Sequence, residues 1–349
     1  MKELTKYLLP FIKVLIIPYI LIMLVFVIPI EFYLTNPGGL TEVEDLIEID
    51  YNEDKEIKGT ISTTYIMYIQ RPTIFQFIIG NFSPYTNIGI LTTSYTNTES
   101  NQIGYLDKET SVNAAIIVAY EKAAETNPEI VIDSYIRVLV YGKATYLDHY
   151  DDIAFGDEFV KVIGDDDYVI TDISEIGTYT VNEEEYEWFF LDEDLNEYSV
   201  FLSKDEAAGL FGVTLKTYYF VNQETTYPSY TEANSNIGGP SGGLLQTLSI
   251  YNMLVDEDLT HGLKIAGTGT IGYDGSVGYI GGVEQKVVTA YYNNVDIFFM
   301  PNLDDEYIYD NYQLALQACE EHHIDPEGWL IPVATLQDAL DYLEGLGNE

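Results

Sequence analysis

The sequence predicts an α/β (α+β) protein in which a C-terminal α/β domain follows a β-rich stretch and an N-terminal transmembrane helix. Three observations predict it. Apolar residues recur near every 3.6 positions after Ser241 and around Lys286, β-branched runs alternate with turns from residue 47 on, and residues 14–30 form an uncharged apolar run. The expected division is a cytoplasmic stub and anchor (1–35), a β-rich region with one helix (36–135), a second β-rich domain (136–208) and the catalytic domain (209–349).

Lys2, Lys6 and Lys13 precede Val14 to Ile30, a run extended backward by Leu8 to Ile12. That length spans a bilayer, and no small-residue cleavage site follows at Glu31-Phe-Tyr-Leu, so the segment reads as a retained anchor; a cleaved signal peptide is the alternative. Basic residues before it and acidic ones after it predict a single-pass protein with a cytoplasmic N-terminus and an extracellular catalytic domain.

Asn36-Pro-Gly-Gly39 opens a loop, after which residues 47–50, 59–69 and 88–93 read as strands. Ser111 to Ala124 reads as a helix, with Ala114, Ala115, Val118, Ala119 and Ala123 along it. From Ile136 to about Thr225, strand-like segments such as 136–141 and 168–170 alternate with turns. Asp50-Tyr-Asn52-Glu-Asp54 begins like a calcium loop, but Lys55 and Ile61 replace the required glycine and glutamate, so no metal is expected there.

The chemistry lies further on. Ile237-Gly-Gly-Pro-Ser241-Gly-Gly precedes Leu244, Leu245, Leu248 and Leu254, which places Ser241 at or near a helix N-terminus, where unpaired N–H groups can receive an oxyanion. Read alone, such a serine is more often an ordinary helix cap. Lys286 shares a helical face with Val283, Val287 and Ala290, and burial there lowers the pKa of an ammonium until it can act as a base without a histidine. A lysine whose stem merely covers apolar surface is the plainer alternative. Against it stands scarcity: the chain has 15 Lys plus Arg, and none follows Lys286.

These residues resemble a known family. Gly239-Pro-Ser241-Gly242-Gly, then Thr268-Gly-Thr-Ile-Gly and Gly281-Gly-Val-Glu-Gln-Lys286, resemble the proteolytic domain of Lon-type serine proteases across about residues 210–345. The nearest likeness is to the membrane-anchored, PDZ-containing, ATP-independent branch (YlbL type). The resemblance implies Ser241 as nucleophile, Lys286 as base and Thr268 as the residue holding the lysine, with Gly239 and Gly242 in the supporting loop. It also implies a PDZ-like domain over 136–208, where Asp151-Asp-Ile-Ala-Phe-Gly156-Asp157 resembles the approach to a strand, although no Gly-Leu-Gly-Phe loop is visible. Gly242 stands where an alanine is usual and Tyr279 where a proline is usual. The implied activity is ATP-independent endoproteolysis of extended or unfolded protein segments outside the cytoplasm, with no cofactor and no metal.

Gly239-Pro-Ser241-Gly-Gly243 also satisfies the nucleophile-elbow pattern, which leaves a Ser-His esterase using His261, His322 or His323 as an alternative; His322 and His323 read as solvated. Gly267-Thr-Gly269-Thr-Ile-Gly272 matches a dinucleotide fingerprint, but no helix follows it, so its glycines read as turns. No phosphate-binding G-x-x-x-x-G-K-[ST] motif occurs, hence no ATPase is expected. A net charge of -42 should repel the bulk of the protein from nucleic acid and from anionic membrane surfaces, so no nucleic-acid partner is expected, while 47% hydrophobic residues speak against a disordered acidic tail. Cys319, the single cysteine, ends the helical run from Tyr312 and reads as core. The partners expected are protein or peptide substrates and the membrane, and a homo-oligomer is compatible with the sequence. A non-catalytic surface scaffold binding peptide C-termini is the alternative from a different class.

Overall fold

β-branched and aromatic runs make most of the strands, and apolar residues at a period near 3.6 make helices such as those after Ser241 and around Lys286. The computed structural model describes residues 2–347 apart from 52–54, 234–236 and 305, with the side chains of 2–13 and 15 outside the description. The side chains of Lys2, Lys6 and Lys13, and residues 52–54 of the rejected calcium loop, therefore lie outside the described residues.

The chain begins with α1 (Lys2–Val27), β1 (Phe32–Glu42), β2 (Ile47–Ile49), β3 (Thr60–Gln70), α2 (Ile74–Gly80), β4 (Asn87–Ile90) and α3 (Asn97–Ala124). It continues through β5 (Ser134–Lys143), β6 (Glu158–Ile163), β7 (Val169–Ile170), α4 (Ile176–Tyr179), β8 (Glu185–Leu191), β9 (Glu197–Ser203), β10 (Val213–Val221) and β11 (Tyr230–Glu232). The last third holds α5 (Gly243–Leu254), β12 (Lys264–Gly267), β13 (Thr270–Ile271), β14 (Val277–Gly278), α6 (Val283–Tyr292), β15 (Ile297–Pro301), α7 (Asn311–Glu321), β16 (Leu330–Val333) and α8 (Leu336–Leu346). Among the described residues no helix is long and apolar enough to cross a membrane.

One sheet runs in the order β16-β15-β12-β3-β1-β4. Its first four strands are parallel neighbours, and β1 is antiparallel to both β3 and β4. Alternation along β15 sends Ile297 and Phe299 to one face and Phe298 and Met300 to the other. The first face packs on α3, α5 and α8 through Ala115, Ile116, Leu244, Leu248 and Leu340, and the second on α6 and α7 through Val287, Ala290, Ala315 and Cys319. The result is a three-layer α/β/α arrangement. Cys319 is 1% exposed and its thiol is pushed up to about 11 by burial, which fits the core position expected of it.

Residues 36–135, expected as a region of their own, prove to complete this sheet. Thr60 to Thr63 of β3 pair in parallel with Lys264 to Gly267, across about two hundred residues, and α3 shares the core of α5. α3 also begins earlier than the run at 111–124 suggests, because Thr96 and Glu99 form a capping box ahead of a polar first half.

The other large sheet is antiparallel, with the order β10-β5-β6-β8-β9 and β7 on β6, and has its own core of Phe159, Val162, Trp188, Phe190 and Leu202. It closes with β10 and so runs on past residue 208. Its α-helical content among the described residues is the four-residue α4.

Candidate active site

Ser241 precedes α5 by two residues, where Gly242 is the N-cap and makes no side-chain capping bond. Gly239 turns the approach with φ +93, a conformation that a residue with a Cβ resists. The plain cap alternative for Ser241 does not hold, since its Oγ faces Lys286 and not the helix end. Lys286 Nζ donates to Ser241 Oγ at 2.8 Å and to Thr268 Oγ1 at 2.8 Å. Thr268 Oγ1 in turn donates to the Ser241 carbonyl at 3.0 Å, which Gly269 N–H also meets at 2.8 Å. Spending its proton on that carbonyl leaves the threonine oxygen as an acceptor for the amine.

Lys286 reaches this point because α6 is entered through its N-cap Gly282, whose left-handed φ of +67 and lack of a Cβ let the chain pass Ile66 of β3 closely; an added Cβ would lie 2.9 Å from that side chain. The lysine is 2% exposed among Val283, Val287 and Ala290. Burial lowers its pKa to about 7, with no carboxylate acting against the shift. Thr268 is fully buried at the end of β12, held by its N–H on the Phe299 carbonyl at 3.1 Å.

The two supporting glycines part company. Gly239 N–H is already given to the Gly104 carbonyl at 2.7 Å, so it is no oxyanion donor, and Gly243 N–H goes to the Pro240 carbonyl at 3.3 Å. Among the described residues the N–H groups of Ser241 and Gly242 meet no acceptor, which leaves these two for an oxyanion. A methyl on Gly242 would lie 3.0 Å from Thr63 Cγ2, so the alanine that is usual at this position needs a small shift of β3.

Several residues that hold the site were missed by sequence reasoning. Ser111 Oγ of α3 donates to the Pro240 carbonyl at 3.1 Å, and Thr64 Oγ1 of β3 to the Gly267 carbonyl at 3.0 Å. Both come from the stretch before residue 135, whose polar residues carry no local sign of a partner more than a hundred residues away. Thr63, Tyr65, Ile66, Tyr68, Lys108 and Gln246 line a cleft of about 560 Å³ over Ser241 and Lys286.

No histidine joins Ser241 among the described residues. His261 Nε2 lies 3.0 Å from the Leu343 carbonyl, and His322 Nε2 lies 3.0 Å from Glu284 Oε1. The second is a correction, since His322 was expected in solvent and its side chain is 15% exposed. Ligand atoms of Glu284, Glu321 and His322 come within 4.8 Å of one another, the one such group among the described residues, and the His322–Glu284 bond accounts for it. Where a dinucleotide-binding helix would stand, β13 and β14 form a hairpin, as the turn reading of Gly267 to Gly272 expects.

A second groove of about 370 Å³ lies against β10, lined by Ile173, Ile176, Gly177, Leu210, Phe211 and Leu215. β10 is an outer strand of its sheet. On its outer edge the N–H groups of Tyr219 and Val221 are taken by Tyr273 Oη and Asn113 Oδ1, and the same alternation turns those of Leu215 and Thr217 outward. The loop leading into it reads Gly209-Leu-Phe-Gly212, which is not the Gly-Leu-Gly-Phe order.

Comparison with known proteins bears on the first of these sites. A Lon protease of Mesomycoplasma hyopneumoniae (strain 232) is 30% identical over 105 residues, 30% of this chain and 11% of that protein. A Lon protease of Ureaplasma parvum serovar 3 is 38% identical over 84 residues, 24% of this chain and 10% of that protein. The matches thus span about a tenth of the length of these relatives. Residues 231–325, which include Ser241, Thr268 and Lys286, match the Lon protease (S16) C-terminal proteolytic domain, and this supports a serine peptidase.

Proposed function

We propose that this chain is a membrane-anchored serine endopeptidase that works without ATP through a Ser241–Lys286 dyad. The observation that carries the proposal is the 2.8 Å separation of Lys286 Nζ from Ser241 Oγ, with burial bringing the amine to about 7. Neutral Lys286 accepts the hydroxyl proton as Ser241 Oγ attacks the scissile carbonyl, and afterwards gives it to the leaving amine. Thr268 keeps the nitrogen lone pair on Ser241 by receiving one of its N–H bonds. The N–H groups of Ser241 and Gly242 hold the tetrahedral oxygen, and the acyl-enzyme is then hydrolysed by water with Lys286 again as base.

α1 serves as the anchor in this reading, and the active site lies outside the cytoplasm. The support is the uncharged run from Val14 to Ile30 with lysines before it and an acidic chain after it. Protease added to intact cells should digest an epitope placed after Asp50 and spare one at the N-terminus; protection of both would put the catalytic domain in the cytoplasm.

Without a motor, such an enzyme cuts chains that are already extended, and the β5–β10 sheet is the proposed PDZ-like capture device. Its support is the apolar groove beside an outer strand with outward N–H groups, which suits strand addition by a peptide. Cutting the chain at residue 209 cannot test this, since it removes β1, β3 and α3 from the catalytic sheet and core. Leu210, 62% exposed, can be changed without cost to the core. Leu210→Glu should raise KM for unfolded protein about tenfold or more through loss of tethering, and leave turnover of a short peptide unchanged. Equal losses on both substrates would mean that the groove supports the fold and not capture.

A further inference from the structure

We infer that α2 and its flanking residues form a second membrane contact, seated in the interface of the same bilayer leaflet that α1 leaves. This inference rests on the reading of α1 as an anchor. Phe75, Ile78, Ile79 and Phe82 follow the spacing i, i+3, i+4, i+7, the stripe by which a helix normally buries itself. Here the stripe points away from the protein: these side chains are between 39% and 82% exposed. The opposite face is already used, with Phe77 against Phe32 at 4.9 Å between ring centres and Gly80 against Leu34. A helix apolar on both faces, one of them met only at Phe75 by Phe26 of α1, calls for an apolar medium.

Continuity with α1 identifies that medium. Phe75 packs on Phe26 at 4.4 Å between ring centres, Ile74 N–H donates to the Ile28 carbonyl, Ile30 N–H donates to the Pro72 carbonyl, and Pro29 bridges to Thr73. Val27, at the end of α1, is itself 66% exposed, and Ile90 on the neighbouring edge strand β4 is 69% exposed. The apolar surface therefore runs unbroken from the end of α1 onto α2. Two charged groups beside the junction, Arg71 and Glu31, satisfy each other at 3.2 Å, which lowers their demand for water.

The consequence reaches the active site through β3. From Gln70, beside this junction, seven residues lead back to Thr63 beneath Gly242, at most about 25 Å at the rise of an extended strand. With α2 docked, the Ser241 cleft stands close over the lipid surface. Segments next to the membrane in anchored or emerging chains become the substrates nearest to hand.

The test uses the full chain in phosphatidylcholine nanodiscs. An environment-sensitive fluorophore is placed by Ile79→Cys, Phe82→Cys, Leu21→Cys in α1, or Leu195→Cys in the exposed β8–β9 turn; the native Cys319 is buried and should stay unlabelled. Probes at 79 and 82 should be blue-shifted, protected from iodide, and quenched most by lipids spin-labelled near the headgroup, as expected for a depth of about 5–10 Å. The probe at 195 should show none of these effects. Quenching at 21 with water-exposed probes at 79 and 82 overturns the inference and leaves the anchor standing. No lipid quenching at 21, 79 or 82 overturns both. Protection from iodide at 79 and 82 without lipid quenching would show a second copy of the chain on α2, and also overturns it.

Discussion

Ser241→Ala and Lys286→Ala should each lower peptide hydrolysis by at least about a thousandfold, and the double variant should be no worse than either single one. The reasoning starts from the 2.8 Å contact. A serine hydroxyl is a weak nucleophile until its proton has somewhere to go, and among the described residues Lys286 is the base within reach of Oγ. Once either partner is gone, removing the other costs nothing further, because the two act in a single step. Thr268→Val separates positioning from chemistry. It keeps the shape and the burial but removes both the acceptor for the amine and the donor to the Ser241 carbonyl. A loss of about 10- to 100-fold in kcat with unchanged KM is expected, the size of one or two buried hydrogen bonds. Steady-state kinetics on a fluorogenic peptide, with circular dichroism to confirm folding, measures all four variants. Lys286→Ala retaining even a tenth of the activity would sink the dyad.

Ser241 and Lys286 were legible as candidates because each is announced locally. Glycines before an apolar helix mark Ser241, and a lone cation on an aliphatic face marks Lys286; neither signal needs a distant contact. What the sequence hid is non-local. β3 reads as a strand from its own residues, but nothing in Thr60 to Thr63 names Lys264 to Gly267 as the neighbour, because parallel pairing leaves no mark on either run. The same holds for Ser111 on Pro240 and for Gly104 on Gly239 N–H, so the β-rich region was set apart from a domain it completes. The polar first half of α3 has weak helical periodicity and is held by its capping box, and its start was therefore placed too late. The groove at β10 was overlooked for a different reason. Gly209-Leu-Phe-Gly212 does not follow the order of the motif sought, and only the backbone reveals it as a loop into an outer strand. α2 had no reading of its own in the sequence, where Ile74-Phe-Gln-Phe-Ile-Ile79 is apolar at nearly every position, and only the structure reveals a helix whose apolar stripe faces outward.

The second large effect is on pH, and Lys286 ties activity and stability to the same proton. Its folded pKa is about 7 against an ordinary 10.5, and burial is the cause. Activity needs the neutral amine, so kcat/KM should rise about tenfold per pH unit below 7 and level off above about 8. Stability has the same sign over a different window. Between about 7 and 10.5 the unfolded chain holds a proton that the folded chain has lost, so stability rises with pH across that range. As pH falls from 10.5 to 7 it declines, and below 7 the full cost of a buried ammonium is present. Lys286→Met keeps the apolar stem and removes the charge. It should be inactive at every pH, have a Tm at pH 6 higher by several degrees, and lose this group's contribution to the rise in stability above pH 7. Lys286→Arg should also be inactive, since a guanidinium stays protonated, but it should be less stable than the parent. Thermal melts and pH–rate profiles of the three proteins measure this directly. A parent profile that turns near 7 while Lys286→Met melts lower than the parent at pH 6 would break the link between burial and basicity, and with it the physical reason why a lysine can do this work without a histidine.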